Sequence, residues 1–235
     1  MSEHPTGPFG VAPGGVAGRE LVLATRSAGK LRELEPLLSQ HGWAAVTLES
    51  LGVPATASEE ALESFSTFEE NALAKARHFA TLTGRVVVAD DSGLSVAALD
   101  GRPGVHSKRW SGSHLEGAAL DALNNAFLQE RLADAERRGR VSREAAYVCA
   151  AACVWPGGAV CVLGETRGQL LHEPRGVGGF GYDPYFFSHD LQATFAEVER
   201  DRKAEVSHRG RAFRALFDEL EGFFRQPVDR GAQSG

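Results

Sequence analysis

The chain has 235 residues, 43% hydrophobic and 24% charged, with a formal net charge of −6. That length holds one large domain or two small lobes around an ample core, and the balance is ordinary for a globular protein. An acidic chain lacks the basic face that nucleic-acid binding needs, and no apolar run reaches the roughly 18 residues of a membrane span, so neither partner is expected.

Residues 1–19 are rich in Gly and Pro and read as a disordered tail, as do residues 226–235; residues 20–225 read as a single domain. The N-terminus has no basic-then-apolar order of a signal peptide. Cys149, Cys153 and Cys161 form no CxxC pair, and their odd number makes a poor disulfide framework. Buried free thiols in a reducing cytoplasm are the expectation.

Order begins at the apolar strand Leu21–Thr25. Arg26-Ser27-Ala28-Gly29-Lys30 follows it, and Leu31, Leu34, Leu37 and Leu38 then recur at helical spacing. A strand, a small-residue turn with Lys and a helix start make a phosphate cradle, because free backbone N–H groups and the helix dipole face an anion. Pro36 inside this helix predicts a kink or an early end. A second strand covers Trp43–Leu48, and Gly52–Ser66 reads as an acidic loop carrying Glu59, Glu60 and Glu63. Thr67-Phe68-Glu69-Glu70 is a capping box for a helix to about Thr81, with Phe68, Ala72, Ala76 and Phe79 on its buried stripe. Asn71 and Lys75 are neighbours along one edge of that stripe, better placed for a cleft than for open solvent.

The β-branched run of Arg85–Gly93 ends in Asp90, Asp91, Ser92 and Gly93. Either this is a turn closing a strand, or it is the polar strand end where an α/β sheet builds a site. Adjacent strand residues face opposite ways, so one Asp is expected to be chemical and the other structural, accepting backbone N–H bonds. After a turn at Asp100–Gly104 and a basic, aromatic loop at Ser107–Gly112, Leu115–Arg138 reads as a helix with Leu120, Leu123, Phe127 and Leu132 on its apolar face. Ala145–Trp155 and Ala159–Gly164, split by Pro156-Gly157-Gly158, read as a hairpin.

Gly176, Gly178 and Gly181 have the GxGxxG spacing, but Asp183-Pro184 cannot open the helix that a dinucleotide site requires. The loop suits close approach to a flat ring by Phe180 and Tyr182, or else holds core aromatics. Ser207-His208-Arg209 opens a last helix, with Phe213, Leu216, Phe217 and Leu220 on its buried face. Its donors suit an anion or a carbonyl; Ser207 with His208 reads as a cap before it reads as a nucleophile–base pair.

Thr67–Ala76, Ala89–Leu94, Gly178–Pro184 and Ser207–Gly210, in this order, make the chain similar to the inosine triphosphate pyrophosphatase (Ham1-like) family. The resemblance runs from Leu21 to about Leu220. It implies an α/β fold with a long mixed central sheet, flanking helices and two lobes around a nucleotide cleft, in a homodimer. It also implies Mg²⁺-dependent hydrolysis of ITP, dITP and XTP to the monophosphate and pyrophosphate. Carried over by position, Thr25, Arg26, Ser27, Ala28, Gly29 and Lys30 form the triphosphate loop, and Asn71 and Lys75 lie on the phosphate side. Asp91 is the catalytic acid and a metal ligand, Glu63 the second metal ligand, and Ser92 a substrate contact. Phe180, Gly181, Tyr182, Asp183, Lys203, His208 and Arg209 line the base and sugar pocket. Two departures stand out: Arg26-Ser27 replaces the family's Gly-Asn or Asn-Asn, and Phe65 replaces a Gly, which leaves Glu59 and Glu60 as alternatives to Glu63. Maf-like pyrophosphatases and a nucleotide-binding regulator without turnover are the competing classes.

Overall fold

The computed structural model describes residues 19–225, the side chains of residues 19, 57, 58, 60 and 222–225 excepted; residues 1–18 and 226–235 of the expected tails lie outside the described residues, while Arg19 belongs to the first strand. A seven-stranded mixed sheet runs in the order β2-β1-β3-β4-β5-β6-β7. Its strands are β1 (Arg19–Leu23), β2 (Trp43–Thr47), β3 (Val87–Val96), β4 (Glu144–Trp155), β5 (Gly158–Leu170), β6 (Phe186–Ser188) and β7 (Ala193–Thr194). The pairs β1–β2 and β1–β3 are parallel, and every later pair is antiparallel.

Alternation along the strands fills both faces of the sheet. On one face Leu21, Leu23, Val88, Cys149, Ala151 and Cys153 pack against α1 (Ala28–Gln40) and α5 (His208–Arg225). On the other, Val22, Ala24, Val87, Ala89, Ala150 and Ala152 meet Ala72, Ala76 and Phe79 of α2 (Phe68–Thr83). The far halves of β3 and β4 enter a separate core with Leu128 and Leu132 of α3 (Gly117–Arg137) and with Phe186 and Phe195. Two packed halves therefore share the long central strands, and the chemistry lies where they meet.

Local chemistry explains the departures from the expected elements. Helix α1 runs through Pro36 to Gln40, because Pro36 lies on the exposed side, where water can serve the carbonyl that loses its N–H partner. The acidic loop contains a 3₁₀ helix at Ala57–Glu63, opened by a reciprocal capping box between Thr56 and Glu59. Leu123 is exposed, and Leu120, Asn124, Leu128 and Leu132 face the core instead. Cys161 is half-buried, unlike Cys149 and Cys153. Strand β3 does not end at its acidic residues; it continues to Val96, pairing Asp90 with Ala151 and Asp91 with Ala150 of β4.

Two glycines set the approach distances around that point. A Cβ at Gly93 would collide with the carbonyl oxygen of Gly104, so only glycine lets the Gly104–Arg109 turn lie on β3. A Cβ at Gly164 would collide with the carbonyl oxygen of His208 and the amide of Ala212. Its absence lets the first turn of α5 sit directly on the sheet, which brings His208 and Arg209 over β3 and β4.

Candidate active site

Asp90 and Asp91 are both buried in the middle of the sheet, on opposite faces. Asp91 points towards α2, where its Oδ2 accepts a hydrogen bond from Asn71 Nδ2 at 2.9 Å. Burial lifts its pKa above the usual carboxylate value, while Lys30, Lys75 and the Asn71 bond pull the other way and Glu63 adds to the rise. Asp90 points towards α5. Its Oδ2 lies 2.9 Å from Lys30 Nζ and 3.1 Å from Arg209 Nε, and it accepts from Ser92 Oγ at 3.3 Å. Burial opposes the charge on Asp90, yet Lys30, Arg209 and Lys75 outweigh it and hold the carboxyl far below the usual range. Asp90 thus takes side-chain cations, not the backbone N–H bonds expected of it.

The residues expected on the phosphate side lie around the same strand. Ser27 caps α1, its Oγ accepting from the amide of Lys30 at 3.4 Å. Lys75 Nζ donates to the carbonyl of Asp90 at 3.0 Å and pairs with Glu63 Oε1 at 2.6 Å. Burial works against the Lys75 charge, but Glu63, Asp90 and Asp91 together raise its pKa. Asn71 also holds Phe65, accepting from its amide at 2.9 Å and donating to its carbonyl at 3.4 Å. Arg26 turns away from this group and binds Glu59, Val53 and Pro54. Glu59 is therefore engaged in an ion pair, and the side chain of Glu60 lies outside the described residues.

The residues expected on the base side divide. Phe180 lies against the Thr25–Lys30 loop, with Gly29 leaving room for its ring: a Cβ there would come 3.1 Å from Phe180 Cε1. Lys203 Nζ stands 5.0 Å from the centroid of the same ring. Tyr182 is not presented to a ligand. It is buried, and its hydroxyl donates to the Ser107 carbonyl at 2.7 Å, because a Tyr placed in a core needs a partner for that group. Asp183 is buried as well, its Oδ2 accepting from the Phe180 amide at 2.9 Å and pairing with Lys203 at 2.7 Å. His208 stacks on Tyr147, with centroids 4.6 Å apart and planes 8° from parallel. Burial, with Arg209 beside it, pushes its pKa well below the ordinary value, so the ring is neutral. Its Nδ1 has no hydrogen-bond partner. Arg209 donates to Asp90 and to Ser92 Oγ and also pairs with Glu33.

Glu33 was not among the candidates read from sequence, yet it joins the two sides. It lies on α1 one turn beyond Lys30, and it pairs with Lys203 at 2.8 Å and with Arg209. Burial would raise its pKa, but those cations win and hold it at about 2. Asp121 and Asn125 were missed too. One helical turn apart on α3, they grip both ends of Gly181: its amide donates to Asp121 Oδ2 at 2.8 Å, and its carbonyl accepts from Asn125 Nδ2 at 2.8 Å. The available signal was a polar pair in register with Leu128 and Leu132 on the buried stripe of α3.

Chemically, the centre is a basic carboxylate beside two lysines, under a helix N-terminus: an arrangement suited to bringing water against a polyanion. Among the described residues no cluster of three or more His, Cys, Asp or Glu side chains is placed to hold a metal. Asp91 and Glu63 both stand beside Lys75, and an all-oxygen pair of this kind fits a hard divalent cation that completes its shell with phosphate oxygens and water.

Fold and site define an α/β protein with a buried cluster of carboxylates and cations on its central sheet. The Ham1 family model matches residues 21–219, nearly all of the described chain, and the chain belongs to that family. It is 48% identical to a dITP/XTP pyrophosphatase of Mycolicibacterium paratuberculosis over 206 residues, 87% of this chain and 97% of that one. It is 46% identical to the dITP/XTP pyrophosphatase of Geobacter sulfurreducens, covering 85% of this chain and 96% of that one. Among solved structures, a HAM1 protein from Coxiella burnetii superposes with a TM-score of 0.74 at 36% identity, covering 86% of this chain and 98% of the other.

Proposed function

We propose that this chain is a nucleoside triphosphate pyrophosphohydrolase that removes non-canonical purine nucleotides, converting ITP, dITP and XTP to the monophosphate and pyrophosphate. The observation that carries the reading is the buried Asp91 on β3, held by Asn71 and flanked by Lys30 and Lys75. Relatives named dITP/XTP pyrophosphatase over most of both chains support the substrate class.

A triphosphate carries about four negative charges, so its cleavage demands charge neutralisation before a nucleophile can approach. Lys30, Lys75 and the free amides at the start of α1 supply part of that. Ala28 and Gly29 present the amides, Thr25 and Ser27 offer their hydroxyls because their own amides are bonded within the loop, and Lys30 and Lys75 act as point charges. Asp91 and Glu63 would hold Mg²⁺, which when bound neutralises phosphate oxygens. Asp91 then orients the attacking water and takes its proton as the anhydride between the α- and β-phosphoryl groups opens. The lifted pKa of Asp91 supports its role as the base. Phe180 offers its face to the purine, and Asp183, Lys203, His208, Arg209, Ser92 and the backbone of Gly181 shape the base and sugar pocket around it. Tyr182 supports that pocket from behind.

The reading includes a homodimer, as the family resemblance implies, in the reducing cytoplasm that free cysteines suit. No helix among the described residues is long and apolar enough to cross a membrane. Pyrophosphate release from ITP, XTP, dITP, GTP and ATP, with and without Mg²⁺, tests the function. Preference for the first three with Mg²⁺ is expected. Release of orthophosphate instead, or equal rates on all five, overturns it.

A further inference from the structure

We propose that Arg26 is a positioning residue that ties the phosphate loop to the segment carrying Glu63, and so sets where that carboxylate stands. The proposal rests on the pyrophosphohydrolase reading above. From sequence, Arg26 looks like an extra cation for the triphosphate. Its geometry says otherwise. Nε and Nη2 bind the two oxygens of Glu59 at 3.2 and 2.9 Å, Nη1 donates to the carbonyl of Val53 at 2.9 Å, and Nη2 also donates to the carbonyl of Pro54 at 2.9 Å. Those bonds fix the guanidinium plane and neutralise its charge against a carboxylate.

Glu59 transmits the constraint. Its Oε1 also accepts from the amide of Thr56 at 3.2 Å, closing the capping box that opens the Ala57–Glu63 helix. Glu63 ends that helix and meets Lys75, which in turn holds the carbonyl of Asp90. The chain of contacts thus runs from the phosphate loop, through Arg26 and Glu59, to the carboxylate opposite Asp91. An open pocket of about 400 Å³ beside the clamp is bordered by Thr25, Arg26, Leu31, Thr47, Val53 and Pro54. Val53 and Leu62 pack the segment on the core next to α2, and the guanidinium bonds hold the polar backbone at Val53 and Pro54. An exposed ion pair ordinarily contributes little, but a bidentate pair that also satisfies two carbonyls is the exception. The Arg26 side chain is one-third exposed and that of Glu59 less than one-fifth, at 33% and 18%. Lysine, a single point donor, cannot reproduce this fork.

The test compares Arg26→Ala, Glu59→Ala, the double variant and Arg26→Lys in the full chain. Each alanine variant should lower kcat/KM for ITP about tenfold, within the range of coupling for contacting pairs, and the double variant should be no worse than either. Each should also raise the Mg²⁺ concentration for half-maximal rate, with Arg26→Lys recovering only part of the loss. In the unliganded protein, hydrogen exchange over residues 56–63 should quicken to the same extent in both alanine variants. Should Arg26→Ala raise KM while Glu59→Ala behaves like wild type, Arg26 is a substrate cation and the proposal falls. Unchanged exchange in both variants also overturns it. A wild-type protein that releases no pyrophosphate from ITP would refute the pyrophosphohydrolase reading alone, because the exchange comparison needs no turnover.

Discussion

The carboxylates of Asp90 and Asp91 are sequence neighbours with opposite electrostatic fates: cations hold Asp90 ionised on the α5 face, while burial lifts Asp91 on the α2 face. Their substitution should therefore fail in different ways. Asp91→Asn should abolish pyrophosphate release and leave the melting temperature within a few degrees of wild type. Asp90→Asn removes the carboxylate shared by Lys30 and Arg209, and breaking a buried pair costs up to about 3–5 kcal/mol, less here because Glu33 still faces Arg209. Thermal melts and pyrophosphate assays on both variants check this; an active Asp91→Asn enzyme would remove Asp91 from its role.

Glu33 gives a prediction in pH. Its folded pKa of about 2 lies below the ordinary value of 4.5. A depressed carboxylate contributes stability that is fully present above the unfolded value and lost as pH falls through the folded one, here between about 4.5 and 2. The groups facing it are Arg209, Lys203 and His208, with Asp90 and Asp183 beyond those cations. The shift corresponds to about 3 kcal/mol. Wild type should exceed Glu33→Gln by roughly that amount in urea unfolding at pH 6.5, and the gap should close by pH 2. Asp91, whose pKa is raised, works in the opposite direction, so the difference between the two proteins is the quantity to follow.

Ser27 and Lys30 share a turn but should separate kinetically. Ser27 is the N-cap of α1, and Asn caps as well as Ser, so Ser27→Asn should keep the melting temperature and leave KM equal or lower. Ser27→Ala should cost about 1 kcal/mol of stability. Lys30→Ala should raise KM for ITP sharply. A wild-type KM in Lys30→Ala would mean that the loop is not a phosphate cradle.

Phe180 and Asn125 test how the purine is held. A stacked ring serves any base, worth about 1–3 kcal/mol, so Phe180→Ala should raise KM for ITP, GTP and ATP alike by about tenfold or more. Asn125→Ala releases the carbonyl of Gly181 and should raise the same constants more modestly, with kcat little changed. Selective loss of ITP alone in either variant would show that these residues discriminate between bases. Arg209 is a poor first choice for such a test, because its removal also strips Glu33 and Asp90 of a cation.

The local periodicities of the sequence determined most of the elements. The Leu31–Leu38 spacing gave α1, the Thr67 side chain capped α2, and Pro156-Gly157 turned β4 into β5, with Gly158 already paired in the second strand. Period-2 alternation also required Asp90 and Asp91 to face apart, which the β3 register bears out. These are short-range properties, set by backbone and side-chain geometry within one or two turns. Partner choice among charged groups is not. Arg26 lies 33 residues from Glu59, and Arg209 lies 176 from Glu33, so the sequence gives charge and spacing but not which carboxylate each guanidinium meets. Tyr182 likewise became a core residue because Ser107, 75 residues away, offers its hydroxyl an acceptor. The close approach of α5 to the sheet at Gly164, and the burial that turns nearby charges into obligatory pairs, are properties of the assembled fold.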